Sequence, residues 1–281
     1  MNTAGGIQVN SIHPTAVIMP GAEIGENVSI GAYSIIGEDC VIGENCVIDA
    51  HVKIAPHTSI GSNCRIYFGA VVGDDPQDHR FKPGVLSHTR IGDNVTLREY
   101  VTIHRSPFEN GLTEVGDRTL LMAFVHVGHD ARIGRNVTVA NNSVFAGHVT
   151  VDDGAVISAY VLVHQFCRIG KLAMIGGRTL VRQDVPDFCM LSEDNTVCGM
   201  NVIGLRRAGF DDERRFRIKK IIKTYFFRKL NSIQAIEQIK ADFPGDLDAA
   251  GFTGFIINSK RGIMPGSPAL AALGGNPREE K

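Results

Sequence analysis

Aliphatic residues recur at every sixth position along most of the chain. Three uninterrupted runs of these anchors cover residues 12–72, 91–103 and 115–181. A glycine often follows the anchor, as in IGENVS and IGDNVT, and a small or β-branched residue usually lies four places after it. An α-helix turns every ~3.6 residues and a half-buried strand alternates with a period of about two, so neither keeps this pattern. The pattern therefore indicates a short strand and a corner in each six-residue unit.

Three such units close one triangular coil of eighteen residues. Stacked coils pair their strands in parallel, about 4.8 Å apart, and the anchors fill the interior. Internal repeats of fixed period are the sequence signature of such stacked architectures. The chain is therefore predicted to be mainly β, with a parallel β-helix of hexapeptide repeats over residues 1–190.

Two segments without anchors interrupt the repeat, at about residues 73–90 and 104–114. The first reads GDDPQDHRFKPGVLSHTR and the second begins HRSPFENG. Both are predicted to be loops that leave the coils. Long excursions from a regular scaffold often carry function.

The repeat ends after Pro186, and residues 191–281 are predicted to form a small, mostly α-helical C-terminal domain. Within residues 211–230, apolar side chains spaced i, i+3, i+4 and i+7 indicate an amphipathic helix. The same segment is rich in lysine and arginine, which suits an acidic partner.

A second helix is predicted to begin after Asn231, whose side chain is a good N-cap. A third helix is expected over about 247–258, and the tail after Gly262 is expected to be loosely held. The second helix is expected to place three isoleucines on one face: Ile233, Ile236 and Ile239.

Composition and charge exclude several classes of protein. The formal net charge is −1, which gives no reason to expect nucleic acid as a partner. No stretch approaches the ~18–20 consecutive apolar residues of a membrane span. The six cysteines form no CxxC pair and no zinc-spaced motif, so reduced thiols in the cytoplasm are expected.

The coil length brings distant polar residues together along one edge. In a coil of eighteen residues, each side chain stacks on the residue eighteen places earlier. His129 is therefore predicted to stack below Gly147, and Gly147 below Gln165. Asp130 is predicted to stack below His148 in the same way. The sequence thus predicts a polar cluster on consecutive coils.

Five segments carry a more specific resemblance. In chain order they are QD at 77–78, HVGHD at 126–130, ANNSVFAGHV at 140–149, VHQF at 163–166 and MNVIGLRRAGF at 200–210. They resemble the UDP-N-acetylglucosamine O-acyltransferases of lipid A biosynthesis, a family of hexapeptide acyltransferases, over nearly the whole chain. The resemblance implies that the β-helix is left-handed, which the period alone does not establish because parallel crossovers are usually right-handed.

The resemblance also implies a reaction. A 3-hydroxyacyl group moves from the thioester of acyl carrier protein to the 3-position of the sugar of UDP-N-acetylglucosamine, as the first step of lipid A biosynthesis. No metal, no cofactor beyond that thioester and no covalent enzyme intermediate are implied. The family further implies a homotrimer with active sites between subunits.

Three residues match the family's catalytic groups. His129 matches the general base, and histidine titrates in the range that this role needs. Asp130 is expected to accept a hydrogen bond from the other ring nitrogen and to favour the imidazolium. The backbone N–H of Gly147 matches the donor that stabilises the oxyanion.

Further positions match residues that contact the UDP-sugar or measure the acyl chain. Gly177 matches the acyl-length position, where glycine leaves room for a long chain. The positions matched to sugar, phosphate and uridine contacts are Gln77, Asp78, Arg80, His126, His148, His164, Gln165, Asn201 and Arg207.

Four positions depart from the family pattern. Arg80 replaces a lysine, which keeps the charge but changes the donor geometry. Near the uridine site Ile203 replaces a glutamate, and Ala208 replaces a basic residue. Asp194 replaces a histidine at the acyl end.

Three alternative functions remain open at this point. One is the same chemistry on a UDP-3-amino sugar, which gives an amide. Another is a zinc enzyme like the γ-class carbonic anhydrases, with His126, His129 and His148 as ligands. The third is a non-catalytic hexapeptide scaffold.

Overall fold

The computed structural model describes residues 10–272, which form two compact units. Unit 1 contains the residues up to Asn136 together with Ala140–Asn142, and unit 2 contains Val137–Val139 and the residues from Ser143 onward. No helix among the described residues is long and apolar enough to cross a membrane.

Unit 1 consists of short parallel strands in a repeating order. They are β1 Ser11–Ile12, β2 Val17–Ile18, β3 Glu23–Ile24, β4 Ser29–Ile30, β5 Ile35–Ile36, β6 Val41–Ile42, β7 Val47–Ile48, β8 Lys53–Ile54, β9 Thr58–Ile60, β10 Arg65–Ile66, β11 Val71–Asp74, β12 His88–Ile91, β13 Thr96–Leu97, β14 Thr102–His104, β15 Leu112–Val115, β16 Leu120–Leu121, β17 His126–Val127 and β18 Arg132–Ile133.

Every third strand of unit 1 belongs to the same sheet. The three sheets run β1-β4-β7-β10-β13-β16, β2-β5-β8-β11-β14-β17 and β3-β6-β9-β12-β15-β18. Ile12 pairs with Ile30, which is the predicted offset of eighteen residues. At the two predicted loops the offset lengthens, because Val72 pairs with Ile103 and Ile103 with Val127. Both loops therefore leave the coils without breaking the sheets.

The anchors and the small residues fill the interior of unit 1. Ile36, Ile54 and Val72 are fully buried. All six cysteines of the chain are described and carry free thiols. The Cys46 thiol donates to the Gly61 carbonyl at 3.1 Å, as expected of a small buried residue.

The corners of the coils use the left-handed backbone region. Asn27 and Asn45 have φ of 56° and 58°, a conformation that asparagine tolerates better than most residues. The Asn27 side-chain amide also donates to the Asn45 side-chain oxygen at 2.8 Å, eighteen residues away. Corner residues therefore stack from coil to coil as the anchors do.

Unit 2 continues the repeat and then becomes helical. Its sheets are β19-β22-β25-β27-β28, β20-β23-β26 and β21-β24, and β28 pairs antiparallel with β27. The elements are β19 Thr138–Val139, β20 Val144–Phe145, β21 Thr150–Val151, β22 Val156–Ile157, β23 Leu162–Val163, β24 Arg168–Ile169, β25 Met174–Ile175, β26 Leu180–Val181, β27 Cys189–Leu191, β28 Val197–Met200, α1 Val202–Arg207, α2 Asp212–Phe227, α3 Ser232–Asp242, α4 Leu247–Ile257 and α5 Pro268–Ala272.

The predicted helices are present, with one error in orientation. Helix α3 begins after Asn231, which forms a capping box with Gln234. Its buried face is built by Ala235 and Ile239, whereas Ile233 is 70% exposed. The prediction that Ile233 shares the face of Ile239 is wrong, because Ala235 lies one turn before Ile239 and takes that place.

The segment after Gly262 is held more firmly than expected. The Asp184 N–H donates to the Gly262 carbonyl and the Met264 N–H donates to the Asp184 carbonyl, at 2.8 and 2.9 Å. Met264 is buried, and Ser267 bonds to Val197. The expected looseness is therefore wrong up to helix α5. The rest of the tail, residues 273–281, lies outside the described residues. The domain boundary at residue 190 stays a prediction.

Candidate functional site

His129 and Asp130 occupy the corner that follows β17 in unit 1. Asp130 has φ of 57°, and its backbone N–H donates to the Thr113 hydroxyl at 2.8 Å. Aspartate is one of the few residues that tolerate this conformation. The corner therefore fixes the backbone from which both side chains project.

The imidazole of His129 contacts the carboxylate of Asp130. Nδ1 lies 2.8 Å from Oδ2, and the His129 residue is only 6% exposed. A carboxylate accepts hydrogen bonds, so this contact favours the tautomer with the proton on Nδ1. Nε2 then carries the lone pair that a general base needs.

The first loop brings a second carboxylate in front of this base. Asp78 Oδ2 lies 3.6 Å from His129 Nε2. Arg80 donates to the same carboxylate through Nη2 at 2.6 Å, and these bonds hold the pKa of Asp78 well below its usual range. Gln77 is exposed on the same loop. The structure thus joins two of the predicted loop residues to the predicted base.

A pair of histidines, His104 and His126, lies next to this base in unit 1. His126 Nδ1 is 2.8 Å from the Thr102 hydroxyl, and the His126 ring packs edge-on against His104 with centroids 4.9 Å apart. Burial lowers the pKa of His104 and lowers that of His126 to about 4, where His104 and His129 add repulsion. His126 is therefore neutral at physiological pH and acts as a hydrogen-bonding group.

Sequence reasoning missed His104. It directly follows the anchor Ile103, where the chain leaves the coil for the second loop. The sequence feature that could have indicated it is a histidine at the point where the chain enters a predicted loop. Its contact with His126 depends on the lengthened offset between β14 and β17, which the sequence did not predict.

The low pKa of His126 predicts acid sensitivity. Between pH 6.5 and about pH 4 the unfolded chain binds a proton that the folded chain does not, so the free energy of unfolding falls as the pH drops through this window. At about pH 5 the loss attributable to this residue is up to about 2 kcal/mol. Urea unfolding at neutral pH and near pH 5 measures it. The His126→Gln variant is expected to lose less stability than the parent, and equal losses would contradict the assignment.

In unit 2 the eighteen-residue offset is seen at His148, which lies next to Phe166 of the following coil. The His148 ring stacks on Phe166 at 4.6 Å, and the Phe166 N–H donates to the Gly147 carbonyl at 3.2 Å. Gly147 is buried, whereas Gln165 is exposed on the next coil. The predicted stacking of Gly147 on His129 and of His148 on Asp130 involves residues of both units. It stays a prediction.

Arg261 is a further residue that sequence reasoning missed. Its Nη2 lies 3.1 Å from His164 Nδ1, although 97 residues separate the two in the chain. A cavity of about 390 Å³ is lined by His148, Phe166, Lys260 and Arg261 among others. Arg168 and Asp184 also line this cavity, so its wall carries three cationic side chains, one carboxylate and an aromatic ring. No periodic signal marks Arg261, because it lies beyond the repeat.

Asn201 has a structural role that sequence reasoning did not predict. Its side-chain oxygen caps helix α1 by accepting from the Gly204 N–H, and its amide donates to the Leu172 carbonyl, both at 2.9 Å. Arg207 and Ile203 are exposed on the same helix. The structure places the matched Asn201 and Arg207 at opposite ends of α1.

Gly177 and Gly176 differ in the space around them. A Cβ on Gly177 would meet the Ala159 carbonyl at 3.4 Å, an ordinary contact, whereas a Cβ on Gly176 would lie 2.9 Å from the Leu191 carbonyl. Only Gly177 can therefore carry a side chain without displacing backbone. Asp194 stands where the family pattern has a histidine. Its carboxylate accepts hydrogen bonds from the Ser192 and Thr196 hydroxyls.

Comparison with protein families gives matches along much of the chain. The model described as UDP N-acetylglucosamine O-acyltransferase, domain 2, matches residues 184–264. The model described as bacterial transferase hexapeptide (six repeats) matches residues 8–38, 39–74 and 113–147.

Proteins from two bacteria show extensive sequence similarity. The acyl-[acyl-carrier-protein]–UDP-N-acetylglucosamine O-acyltransferase of Anaeromyxobacter sp. (strain Fw109-5) is 44% identical, over 90% of this chain and 99% of the relative. The protein of the same name from Halorhodospira halophila is 46% identical, over 90% of this chain and 98% of the relative.

Solved structures agree with the sequence comparisons. The UDP-N-acetylglucosamine acyltransferase of Francisella novicida superposes with a TM-score of 0.87 at 38% identity, covering 96% of this chain and 100% of the other. That of Bacteroides fragilis gives 0.86 at 40% identity, covering 90% and 99%. These matches confirm the predicted fold class, a left-handed parallel β-helix of hexapeptide repeats followed by a small α-helical segment.

Proposed function

Because this chain belongs to the UDP-N-acetylglucosamine O-acyltransferase family, we propose that His129, Asp130 and Gly147 carry its chemistry. The chain transfers an acyl group from acyl carrier protein to UDP-N-acetylglucosamine, the first step of lipid A biosynthesis. Family membership does not favour the carbonic anhydrase or scaffold alternatives. The finer assignments, a 3-hydroxyacyl donor and the sugar 3-hydroxyl as acceptor, are part of the proposal.

The contact between His129 and Asp130 is the observation that carries the proposal. Nδ1 and the carboxylate oxygen are 2.8 Å apart in a buried corner, which orients Nε2 as the proton acceptor. In our proposal Nε2 takes the proton of the sugar hydroxyl as its oxygen bonds to the thioester carbon. Asp130 then stabilises the imidazolium that forms.

The remaining steps follow from the same groups. As the tetrahedral intermediate forms, its oxyanion accepts a hydrogen bond from the Gly147 N–H, which the eighteen-residue offset predicts one coil from His129. When the intermediate collapses, the C–S bond breaks and the imidazolium returns its proton to the leaving thiolate. The products are the sugar ester and the free thiol of the carrier, and no acyl-enzyme forms.

A set of polar residues is proposed to hold the UDP-sugar. Asp78 and Arg80 lie at the base itself, and an incoming hydroxyl would share or replace the Asp78 contact at 3.6 Å. His126, kept neutral by burial, is proposed to bond to the sugar. The further proposed contacts are Gln77, His148, His164, Gln165, Asn201 and Arg207.

Assembly, cofactor and compartment complete the proposal. We infer a homotrimer with active sites between subunits, with the thioester of acyl carrier protein as the activated co-substrate and no other cofactor. The free thiols of all six cysteines agree with a reducing compartment, and we place the reaction in the cytoplasm.

A crossed assay separates the hydroxyl acceptor from the amino acceptor. The purified chain is incubated with UDP-N-acetylglucosamine or its 3-amino analogue and a series of 3-hydroxyacyl carrier proteins, and products are read by mass and base lability. We expect a base-labile ester with the hydroxyl sugar. Exclusive formation of a base-stable amide would overturn the choice of acceptor while keeping the chemistry.

Docking of the carrier is expected to use exposed cations of α2 and its C-terminal end. Arg214 binds Asp248 through two bonds of 2.7 and 2.8 Å, so it is engaged within unit 2. Lys220 and Lys229 are exposed and suit an acidic partner. The variant Lys220→Glu/Lys229→Glu is expected to raise KM for acyl carrier protein roughly tenfold through lost charge attraction.

Two controls accompany this measurement. Lys240→Glu reverses one positive charge on α3, where the double variant reverses two, and is expected to leave KM for the carrier unchanged. KM for the UDP-sugar should stay constant in all variants. An unchanged carrier KM in the double variant would remove this surface from the account.

A further inference from the structure

The first and second loops of unit 1 are joined to each other by polar contacts. Arg105 of the second loop donates to the Asp75 carboxylate at 2.8 and 3.0 Å and to the Val85 carbonyl at 2.8 Å. The buried Ser87 hydroxyl of the first loop donates to the Ser106 carbonyl at 2.7 Å. The second loop is therefore held against the first one at the point where it leaves the coil.

The tip of the second loop is a tight turn that carries Phe108. The Phe108 N–H donates to the Ser106 hydroxyl at 3.1 Å, and the Gly111 N–H donates to the Phe108 carbonyl at 3.0 Å. Gly111 has no space for a side chain, because a Cβ there would clash with the Ser106 side chain. The turn fixes the backbone of Phe108, while the residue itself stays 43% exposed.

The guanidinium of Arg80, on the first loop, lies over the ring of Phe108. Its central carbon is 5.3 Å from the ring centroid, within the range of a cation–π contact. Nε and Nη2 donate at the same time to the Asp78 carboxylate, at 3.1 and 2.6 Å. A planar guanidinium can make both contacts, because its edge donates hydrogen bonds while its face packs on an aromatic ring. The two contacts together fix the plane of the Arg80 side chain.

One edge of this guanidinium is available to a ligand. Nη1 makes no hydrogen bond to any residue that the structure describes, and the Arg80 side chain is 62% exposed. Hydrogen bonds to Asp78 and, more weakly, the charge of Asp130 raise the pKa of Arg80, so the group stays cationic. Asp78 in turn lies 3.6 Å from His129 Nε2. The available donors therefore belong to a cation held beside the proposed base.

We propose that Phe108 is a positioning residue, which orients Arg80 so that its available edge donates to an acceptor oxygen of the UDP-sugar. The inference rests on the proposed function, because it takes the UDP-sugar as the ligand. Without the ring, the guanidinium keeps the Asp78 carboxylate but is free to tilt about that contact. Binding then has to order a more mobile side chain, which lowers the affinity. Phe108 thus acts through Arg80.

A double-mutant cycle tests whether Phe108 acts through Arg80. Phe108→Leu removes the ring but keeps an apolar side chain, Arg80→Met removes the guanidinium, and the third variant combines both changes. Phe108→Tyr keeps the ring. Tyr67→Leu is the matched control, since it removes a ring that packs under Arg98 at 4.4 Å outside the proposed site. Calorimetric titration measures Kd for UDP-N-acetylglucosamine, and steady-state transfer measures its KM and kcat.

We expect Phe108→Leu to raise Kd and KM for the UDP-sugar by about threefold to fivefold, the size of a partly exposed cation–π contact, with kcat unchanged. Phe108→Tyr and Tyr67→Leu should match the parent. In the Arg80→Met background, removal of the ring should cause no further rise in Kd, because its partner is gone. Circular dichroism checks folding, and Phe108→Gln takes the place of Phe108→Leu in the cycle if that variant unfolds.

An equal rise in Kd with and without Arg80, or no rise in a folded Phe108→Leu variant, would overturn the inference. Failure of the proposed function has a different signature. A parent that shows this coupling in UDP-sugar binding but transfers no acyl group keeps the role of Phe108 and removes the reaction. Acyl transfer by a parent in which the two residues act independently keeps the reaction and removes the positioning role. A parent that neither binds the UDP-sugar nor transfers the acyl group removes both.

Discussion

Replacement of His129 by alanine is expected to lower kcat by about 10²–10⁴-fold, the range typical of a lost general base. The sugar hydroxyl would then have to attack without transferring its proton to Nε2. The circular dichroism spectrum and the sedimentation of the variant should match the parent. Steady-state transfer from 3-hydroxyacyl carrier protein measures the loss.

Two controls make this result specific. Asp130→Asn keeps a residue that tolerates the φ of 57° but removes the negative charge beside Nδ1, so kcat should fall while KM for the UDP-sugar stays similar. His57→Ala removes another histidine of unit 1 that lies outside the site and should leave kcat unchanged. Turnover near the parental rate in His129→Ala would contradict the assignment of the base.

Replacement of Gly177 by methionine is expected to shorten the acyl chain that the enzyme accepts. A Cβ at this position meets only ordinary contacts, at 3.4 Å from the Ala159 carbonyl and 3.8 Å from Ser158 Cβ, so a side chain can project without backbone strain. We expect kcat/KM for the longest accepted chain to fall roughly 100-fold, because overlap with a packed methylene chain is costly. Short chains should keep parental values.

Gly176→Ala is the matched control for this change. Its Cβ would lie 2.9 Å from the Leu191 carbonyl, so this variant should lower the melting temperature without changing the order of chain-length preference. Gly177→Met should show the reverse behaviour. An unchanged chain-length profile in a folded Gly177→Met variant would remove Gly177 as the acyl-length residue.

The six-residue period predicted the coils because the pattern reports burial directly. The anchors from Ile30 onward are buried in the interior, so a single slip would expose them. The same reasoning fails for helix α3, where Ile233 is exposed, because helical spacing does not say which stripe faces the partner elements. Gly262 and Met264 show a different failure, since their pairing with Asp184 depends on contacts distant in sequence.

The candidate site was predictable where its residues lie on the repeat. The Asp130 carboxylate contacts the imidazole of its chain neighbour His129. Phe166 stacks on His148, as the coil length indicates. His104 and Arg261 were missed because a loop offset and a chain segment outside the repeat place them. The substrate was predicted from the resemblance of motifs. The eighteen-residue coil predicts which residues lie next to one another, but it does not predict which ligand they bind.

One mass-spectrometric measurement of acyl transfer tests most directly whether His129 is the base of this reaction. Purified parent and His129→Ala proteins are incubated with UDP-N-acetylglucosamine and a long-chain 3-hydroxyacyl carrier protein. We expect the parent to convert the sugar nucleotide to a base-labile ester heavier by one acyl group, and His129→Ala to form almost none. Absence of the ester with the parent, or its formation by His129→Ala at the parental rate, would contradict the central claim.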